Sequence, residues 1–376
     1  MKLFSFKSKA VDQVTSDIKY FHASPWQLFA WKFFRHRLAV VSLVILALLY
    51  FVCVFAEFFA PVLASSYDAK SQFCSPQAIH ILHDGQLSSP FVYKAIKSKD
   101  PVTFRSIYTE DTEAPQRLLF FVKGERYKVF GNLKGQLHLF GVAEGTVHLF
   151  GCDSMGRDVF SRVLYGGRSS LLVGLVAIAI SFTIGIITGG IAGLYGGVVD
   201  NVIQRVIEFI RSIPTLPLWM SLSVALPPNL PAIYLYFGTT VVLSLVGWTG
   251  LSRVVRGKFL SLRTEDFVTA ARLSGASETK IIFRHMLPSF YSHIIASLTL
   301  SIPDMILGET ALSFLGLGIQ PPAVSWGVLL RDAQSVSVFA HTPWLLIPGG
   351  MVVVCILCFN FVGDGFRDAA DPYAKI

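Results

Sequence analysis

Ser169-Ser-Leu-Leu-Val-Gly-Leu-Val-Ala-Ile-Ala-Ile-Ser-Phe-Thr-Ile-Gly-Ile-Ile-Thr-Gly-Gly-Ile-Ala-Gly-Leu-Tyr195 runs without one charged side chain. A lipid core about 30 Å thick needs around 20 apolar residues in a helix, at ~1.5 Å of rise each, and this run exceeds that. A helix apolar on every side is one buried in a large core or in a membrane. Gly185, Gly189, Gly193 and Gly197 fall on every fourth position. On a helix they form one ridge against which a second backbone can close, in this chain or in a partner.

Composition extends the reading to the whole chain. Of 376 residues 53% are hydrophobic and 15% charged, with mean hydropathy +0.57. A soluble domain carries roughly 25% charged residues, so most of this surface must face lipid. Leu38–Ala60, with Glu57 its only charge, is a further span. So are Ser212–Pro231, with prolines crowding its ends, Ala232–Ser252, Ser289–Gly318 and Pro343–Gly363. The expectation is an all-α integral membrane protein with six transmembrane helices.

The net charge of +8 does not indicate nucleic acid, because its basic residues flank the spans. Lys2, Lys7, Lys9, Lys19, Lys32, Arg35 and Arg37 precede the first span. Arg253, Arg256, Lys258, Arg263, Arg272, Lys280 and Arg284 precede the fifth. The positive-inside rule puts both clusters in the cytoplasm. Six crossings satisfy this and return the tail, 364–376, to the same side. The first span is too long, and its basic lead too extended, for a cleaved signal peptide.

Within the N-terminal segment 1–37, Ser24-Pro25 has the form of an N-cap and first helical position. Trp26, Phe29 and Phe33 then recur at near-helical spacing, as in an amphipathic helix lying in the interface; an extension of span 38–60 is the alternative. Residues 61–168 are too polar for membrane and form an external insertion. There Val129-Phe130-Gly131, Leu139-Phe140-Gly141 and Leu149-Phe150-Gly151 recur every ten residues, with His83-Asp84-Gly85 a further turn upstream. Short apolar runs between glycine turns predict a small β-meander. The remaining core, 169–363, holds five helices and the cytoplasmic loop 253–288.

Enzyme signatures are absent. Arg256-Gly257-Lys258-Phe259 lacks the glycine spacing and the Ser/Thr of a phosphate loop, and neither H-E-x-x-H nor G-x-S-x-G occurs. Cys355 and Cys358 form a CxxC inside an apolar run, without metal-site spacing, and Cys53 is also in a span. Only Cys74 and Cys152 fall outside the membrane, on the side where disulfides persist. They are either bonded or packed as free thiols.

The loop 253–288 is the segment that speaks to function. Thr264 can cap a helix whose first turn carries Glu265 and Asp266, both favourable at the positive dipole end. Gly275 would end it and Ser277 would cap the next, leaving small Ala270, Ala271 and Gly275 near the bend. Small side chains at a helix bend let another protein close around it. An ordinary basic loop is the alternative on composition alone.

This segment resembles the EAA loop of ABC importer permeases, with Ala270, Ala271, Gly275, Leu287 and Pro288 at the family spacing. Thr269 stands in place of its Glu and His285 in place of its Ile. Asp153-Ser-Met-Gly-Arg-Asp-Val-Phe-Ser-Arg162, with Cys152 in place of the family's Thr, Gly308-Glu-Thr-Ala-Leu-Ser-Phe-Leu-Gly-Leu-Gly318 and Gly363-Asp-Gly-Phe-Arg-Asp-Ala-Ala-Asp-Pro372 are similar to further signatures of the dipeptide/oligopeptide/nickel branch, second (C-type) subunit. The resemblance implies coupling to ATPases through Glu265, Asp266, Ala270, Ala271, Gly275, Leu287 and Pro288. It implies a second homologous permease, two ATPase subunits that hold ATP and Mg, and an extracytoplasmic solute-binding protein. It also implies a bacterial inner membrane and no cofactor on this chain. The insertion 61–150 is longer than the family's usual one.

Ionisable groups inside a bilayer point to function by default. Asp304, some ~22 Å along the fifth helix from Ser289, and Glu309 are either walls of a translocation path or internal contacts. A secondary transporter or channel without ATPases is the rival class; it would show charged or unwound sites at the midplane.

Overall fold

The computed structural model describes residues 24–83, 86–99, 101, 106–129, 133–227 and 230–371. Residues 1–23 of the N-terminal segment, Asp84-Gly85, Phe130-Gly131-Asn132 and residues 372–376 of the tail lie outside the described residues.

Ser24 caps α1 (Pro25–Arg35) through a reciprocal box: its Oγ accepts from the Gln27 N–H at 3.3 Å, and Gln27 Oε1 accepts from the Ser24 N–H at 2.9 Å. The helix stops at His36, so it is a separate amphipathic element and not an extension of the first span. His36 Nδ1 accepts from the Ala39 N–H and opens α2 (Arg37–Val54). Along α2, Ala39, Ser42, Leu46 and Cys53 are buried at helical spacing, while Leu38, Val44 and Leu48 are exposed as a lipid face requires. A short α3 (Ala56–Phe59) follows.

The insertion contains two antiparallel sheets. β1 (His80–His83), β2 (Gln86–Lys99) and β3 (Ser106–Arg117) pair in that order, and β4 (Leu119–Val129) pairs with β5 (Leu133–Gly141). The ten-residue repeat therefore yields a hairpin and not a three-unit meander. Leu149-Phe150-Gly151 is a turn, with Gly151 at φ +72° and Phe150 stacked edge-on against Phe160 at 5.0 Å. His138, buried on β5, contacts the Ala60 carbonyl at 2.6 Å and ties the hairpin to the end of α3.

Asp158 caps α4 (Val159–Tyr195), its Oδ2 accepting from the Ser161 N–H at 2.7 Å. Gly196 and Gly197 turn the chain into α5 (Gly197–Ser212), followed by α6 (Thr215–Val224) and α7 (Ala232–Leu262). α7 lies parallel to α4, Gly185 facing Leu251 and Gly193 facing Phe259. A Cβ on Gly193 would sit 2.5 Å from that of Phe259, and one on Gly189 would collide with the Ser252 carbonyl. The glycine ridge thus packs inside the subunit. Gly197 has turned off it, with nothing near its Cβ position.

Parallel neighbours need a return crossing between them. The expected third span, Ser212–Pro231, is only the ten-residue α6, about half a lipid core at ~1.5 Å per residue. Among the described residues, five helices are long and apolar enough to cross: Arg37–Val54, Val159–Tyr195, Ala232–Leu262, Glu278–Phe314 and Pro343–Ala370. α5 and α6 share the return: Asp200 on α5 pairs with Arg256, while Trp219 on α6 lies beside Gly308, where Leu243 also packs. Pro214 stands at the break between them, where it cannot continue the α5 ladder.

Beyond α7 come α8 (Asp266–Leu273), the single turn α9 (Glu278–Lys280) and α10 (Tyr291–Phe314). α11 (Trp326–Arg331), α12 (Val336–His341) and α13 (Ile347–Ala370) complete the order. α13 runs antiparallel to α10, with Gly363 against Leu300, and to α2, with Gly365 against Ala39. Phe33 on α1 stacks on Phe366 at 4.7 Å, and Lys32 Nζ donates to the Asp371 carbonyl at 2.7 Å. These pairings gather α1, the 253–288 loop and the end of α13 at one end of the bundle, opposite the sheets.

Candidate coupling and translocation surfaces

Glu265 is the N-cap residue of α8 and makes no side-chain cap bond, so the capping role expected of Thr264 is not made. At the other end Gly275 takes φ +78°. Its N–H donates to the Arg272 carbonyl at 3.0 Å, and the Ala276 N–H to the Ala271 carbonyl at 3.1 Å. This is a Schellman ending, with Ala271 and Ala276 in apolar contact beneath it. Ser277 then caps α9, accepting from the Lys280 N–H at 3.4 Å.

Val268 fixes α8 to the bundle. It is fully enclosed in a cluster with Val255, Phe259, Ile281, Met286 and Phe290. Glu265, Asp266, Ala270 and Gly275 face outward and Ala271 is half-buried. Leu287 is buried in the same cluster, so it supports the loop from within; Pro288 is exposed on the short turn beyond it. Two apolar side chains outside the sequence expectation complete the outer face: Phe267 and Leu273, the latter 85% exposed. Their positions around Val268 on an amphipathic helix were the available signal.

A cavity of ≈ 830 Å³ lies among the end of α5, α6, α7 and α10. Asp304 lines it, exposed, and so does Arg211 at the end of α5. Glu309 does not. It is completely enclosed, accepting from Ser170 Oγ at 2.8 Å and Ser313 Oγ at 2.7 Å, so of the two acidic candidates only Asp304 reaches open space. Arg211 carried no motif; a lone arginine closing an amphipathic helix before a proline was its only mark.

At the opposite end the Asp153–Asp158 string closes on itself. Asp153 Oδ1 accepts from the backbone N–H groups of Met155 and Arg157 at 2.8 and 3.0 Å. Its Oδ2 accepts from Arg157 Nε at 2.7 Å and from the buried Arg162 guanidinium. Asp332 sits 3.7 Å from Arg157, joining the segment before α4 to the chain after α11. Beside this knot His148 Nδ1 lies 3.1 Å from Asp158 Oδ1, both buried. Burial on its own would lower the His148 pKa, but the Asp158 contact outweighs it and the net shift is upward. Cys74 and Cys152 are free thiols here, both buried, with the Cys152 N–H donating to the Cys74 carbonyl at 2.9 Å. Its neighbour Cys152 holds the Cys74 pKa down, while Cys74 and burial push the Cys152 pKa up. Among the described residues no cluster of His, Cys, Asp and Glu has the makings of a metal site.

Comparison with known proteins identifies the family. Residues 182–375 match the family model for the binding-protein-dependent transport system inner membrane component. Residues 24–75 match the N-terminal TM domain of oligopeptide transport permease C. The chain is 41% identical over 221 residues to the dipeptide transport system permease protein DppC of Bacillus subtilis, covering 58% of this chain and 67% of that one. It is 42% identical over 222 residues to the oligopeptide transport system permease protein OppC of Escherichia coli, covering 58% and 70%. A solved structure of the MetNI methionine ABC transporter, inward facing, aligns with 56% of this chain and 97% of its own at TM-score 0.44 and 17% identity. The chain belongs to the family of binding-protein-dependent transport system inner membrane components.

Proposed function

We propose that this chain is the permease subunit of an ATP-driven peptide importer in a bacterial inner membrane, and that α8 is its lever. The names of its relatives support peptides as the substrate. The observation that carries the lever is the build of α8: one side chain, Val268, is locked into the bundle while Phe267, Ala270, Leu273 and Gly275 stand outside it. A helix pegged on one face moves as a body when its other face is pushed.

In this reading the end holding α1, α8 and the end of α13 is cytoplasmic and the sheets are external. A second, homologous permease completes the path along the α5–α7–α10 cavity. Two ATPase subunits, carrying ATP and Mg, dock beneath, one on each permease, and a solute-binding protein delivers peptide from outside. Nothing in this chain hydrolyses ATP.

Copurification from detergent tests the assembly: two ATPase chains and a second permease are expected with this one, and recovery of this chain alone overturns the reading. Single cysteines in a cysteine-free background test the orientation. In intact cells an impermeant thiol reagent is expected to label a cysteine at Lys97 and spare one at Lys280.

A further inference from the structure

The α5–α7–α10 cavity carries two opposite charges that do not meet. Arg211 and Asp304 both line it and both are exposed to it. Neither forms an ion pair among the described residues, although Asp200, Arg205, Glu208 and Arg256 nearby all do. An unpaired charge at membrane depth is expensive unless it faces water or a ligand. Two of them, of opposite sign, on one cavity wall mark a place for something that brings both counter-charges.

Gly247 and Gly250, one helical turn apart on α7, also line the cavity. The Arg211 guanidinium lies 3.8 Å from where a Cβ on Gly250 would stand. Across α7, Met305, next to Asp304, packs onto Gly247. The acid and the base therefore line one cavity from different helices, α10 and α5, and Trp219 on α6 adds an aromatic wall.

We propose that Asp304 and Arg211 form a clamp for the two charged ends of a short peptide, the carboxylate taking the α-ammonium and the guanidinium the α-carboxylate. The inference rests on the permease reading above and names its substrate: peptides with both termini free. The cavity of ≈ 830 Å³ admits the peptide main chain, its apolar walls accept varied side chains, and the charges select what every unblocked peptide shares. A metal cation would find one attractive group and one repulsive one.

The test is equilibrium binding of radiolabelled Ala-Phe, N-acetyl-Ala-Phe and Ala-Phe-amide to the whole transporter in nanodiscs, without its binding protein. That protein is left out because it selects peptides by itself. Hydrogen bonds to charged groups are worth ~1.5–3 kcal/mol, so removing one weakens binding by roughly tenfold or more. Asp304→Asn is expected to weaken Ala-Phe by that factor and leave the N-acetyl form unchanged. Arg211→Gln is expected to weaken Ala-Phe likewise and leave the amide unchanged, while Asp304→Glu restores binding. Variants that bind all three probes as the native transporter does overturn the clamp, as does equal weakening of blocked and free peptides. Loss of the second permease from the Asp304→Asn complex also overturns it, since the charge would then belong to the subunit contact. ATP-driven uptake by the native complex separates the two readings: if uptake is present and the clamp variants are silent, only the clamp fails; if uptake is absent, the permease reading fails.

Discussion

Glu309 on α10 and Ser170 on α4 are joined by a hydrogen bond of 2.8 Å at the centre of the subunit, and Ser170 in turn accepts from the Trp326 N–H at 3.1 Å. On its other oxygen Glu309 receives Ser313 Oγ, which accepts from the Ile319 N–H at 3.0 Å. One carboxyl group thus orients two hydroxyls, and each hydroxyl accepts from a buried backbone amide, one in the chain after α10 and one at the start of α11. The glutamate is a structural junction with both oxygens in use.

Removing it leaves two hydroxyls without an acceptor in a water-free place, at about 1–3 kcal/mol for each unsatisfied buried group. Glu309→Ala is therefore expected to lower the thermal midpoint of the purified protein in detergent, with Glu309→Gln intermediate because one amide oxygen remains. Any Glu309→Ala protein that does fold is expected to keep the native preference among peptides, measured as relative uptake. A changed preference at unchanged stability would return Glu309 to the path.

The α4–α7 interface sets a second expectation. A Cβ on Gly189 would collide with the Ser252 carbonyl and come within 2.9 Å of Val255 Cβ, whereas nothing lies within 4 Å of one on Gly257. Both glycines are in helices, so backbone propensity affects them alike. Gly189→Leu should abolish the monodisperse peak of the detergent-extracted protein, and Gly257→Leu should keep it. The pairing inside one chain is at stake: Gly189→Leu protein that extracts normally would place the ridge at a looser contact.

The outer face of α8 gives the third. Leu273→Ala removes an exposed side chain and breaks no internal contact, so membrane insertion and thermal midpoint should stay near native. Peptide uptake, and ATP hydrolysis stimulated by the loaded binding protein, should fall several-fold. Val268→Ala should instead lower stability by about 1–3 kcal/mol, as loss of buried methyl groups from a packed cluster does. Gly275→Ala adds strain at φ +78°, roughly 1–2 kcal/mol for a residue with a Cβ, and should loosen the Schellman ending at the edge of the docking face.

Much of this was legible in the sequence because lipid imposes a simple rule. A charge-free run such as Ser169–Tyr195 has no alternative to a helix, and its glycine spacing already announced a close backbone neighbour. The return from α4 to α7 was harder. Counting apolar residues does not show that Pro214 stops α5, or that the amphipathic Gly197–Ser212 shares the return with the short α6. At the site, the bend at Gly275 followed from glycine and capping chemistry, whereas the fates of Leu287 and Glu309 depended on neighbours remote in sequence. Arg211 was invisible for the same reason: its meaning comes from Asp304, which only the packing of α5 and α10 around α7 brings to the same cavity.

Acidity should also matter outside the membrane. Asp158 raises the His148 pKa above the ordinary histidine value of about 6.5 despite burial, which favours the charged ring in the folded state. A raised folded-state pKa contributes stability that is complete below the unfolded value and is lost as pH rises through the folded one. The anchoring of residues 148–158 should therefore weaken as pH climbs from about 6.5 upward. Hydrogen exchange over that segment should speed up across this window more than intrinsic exchange does, and His148→Gln should flatten the profile. A native profile as flat as that of the variant would show that the pair carries no protonation-linked stability.

Cys74 and Cys152 are expected to close into a disulfide when the external face meets an oxidant. Both are buried thiols in this structure, and the Cys152 N–H bonded to the Cys74 carbonyl at 2.9 Å sets their main chains side by side. A disulfide needs Cα atoms within about 7 Å, a separation that directly paired backbones meet. An oxidant bearing its own disulfide accepts the two electrons and two protons as its S–S bond opens and the Cys74–Cys152 bond forms. Closing a loop of roughly 80 residues stabilises the folded state by ~4 kcal/mol in the chain-entropy account. The bond would join the start of the insertion to the turn that feeds α4, with both sheets between. Non-reduced peptide mapping of protein extracted without reductant should recover the two cysteines on one linked pair. Reduction should then lower the thermal midpoint of the native protein and leave that of Cys74→Ser/Cys152→Ser where it was. Recovery of both as free thiols from oxidant-treated membranes would show that burial keeps the pair reduced.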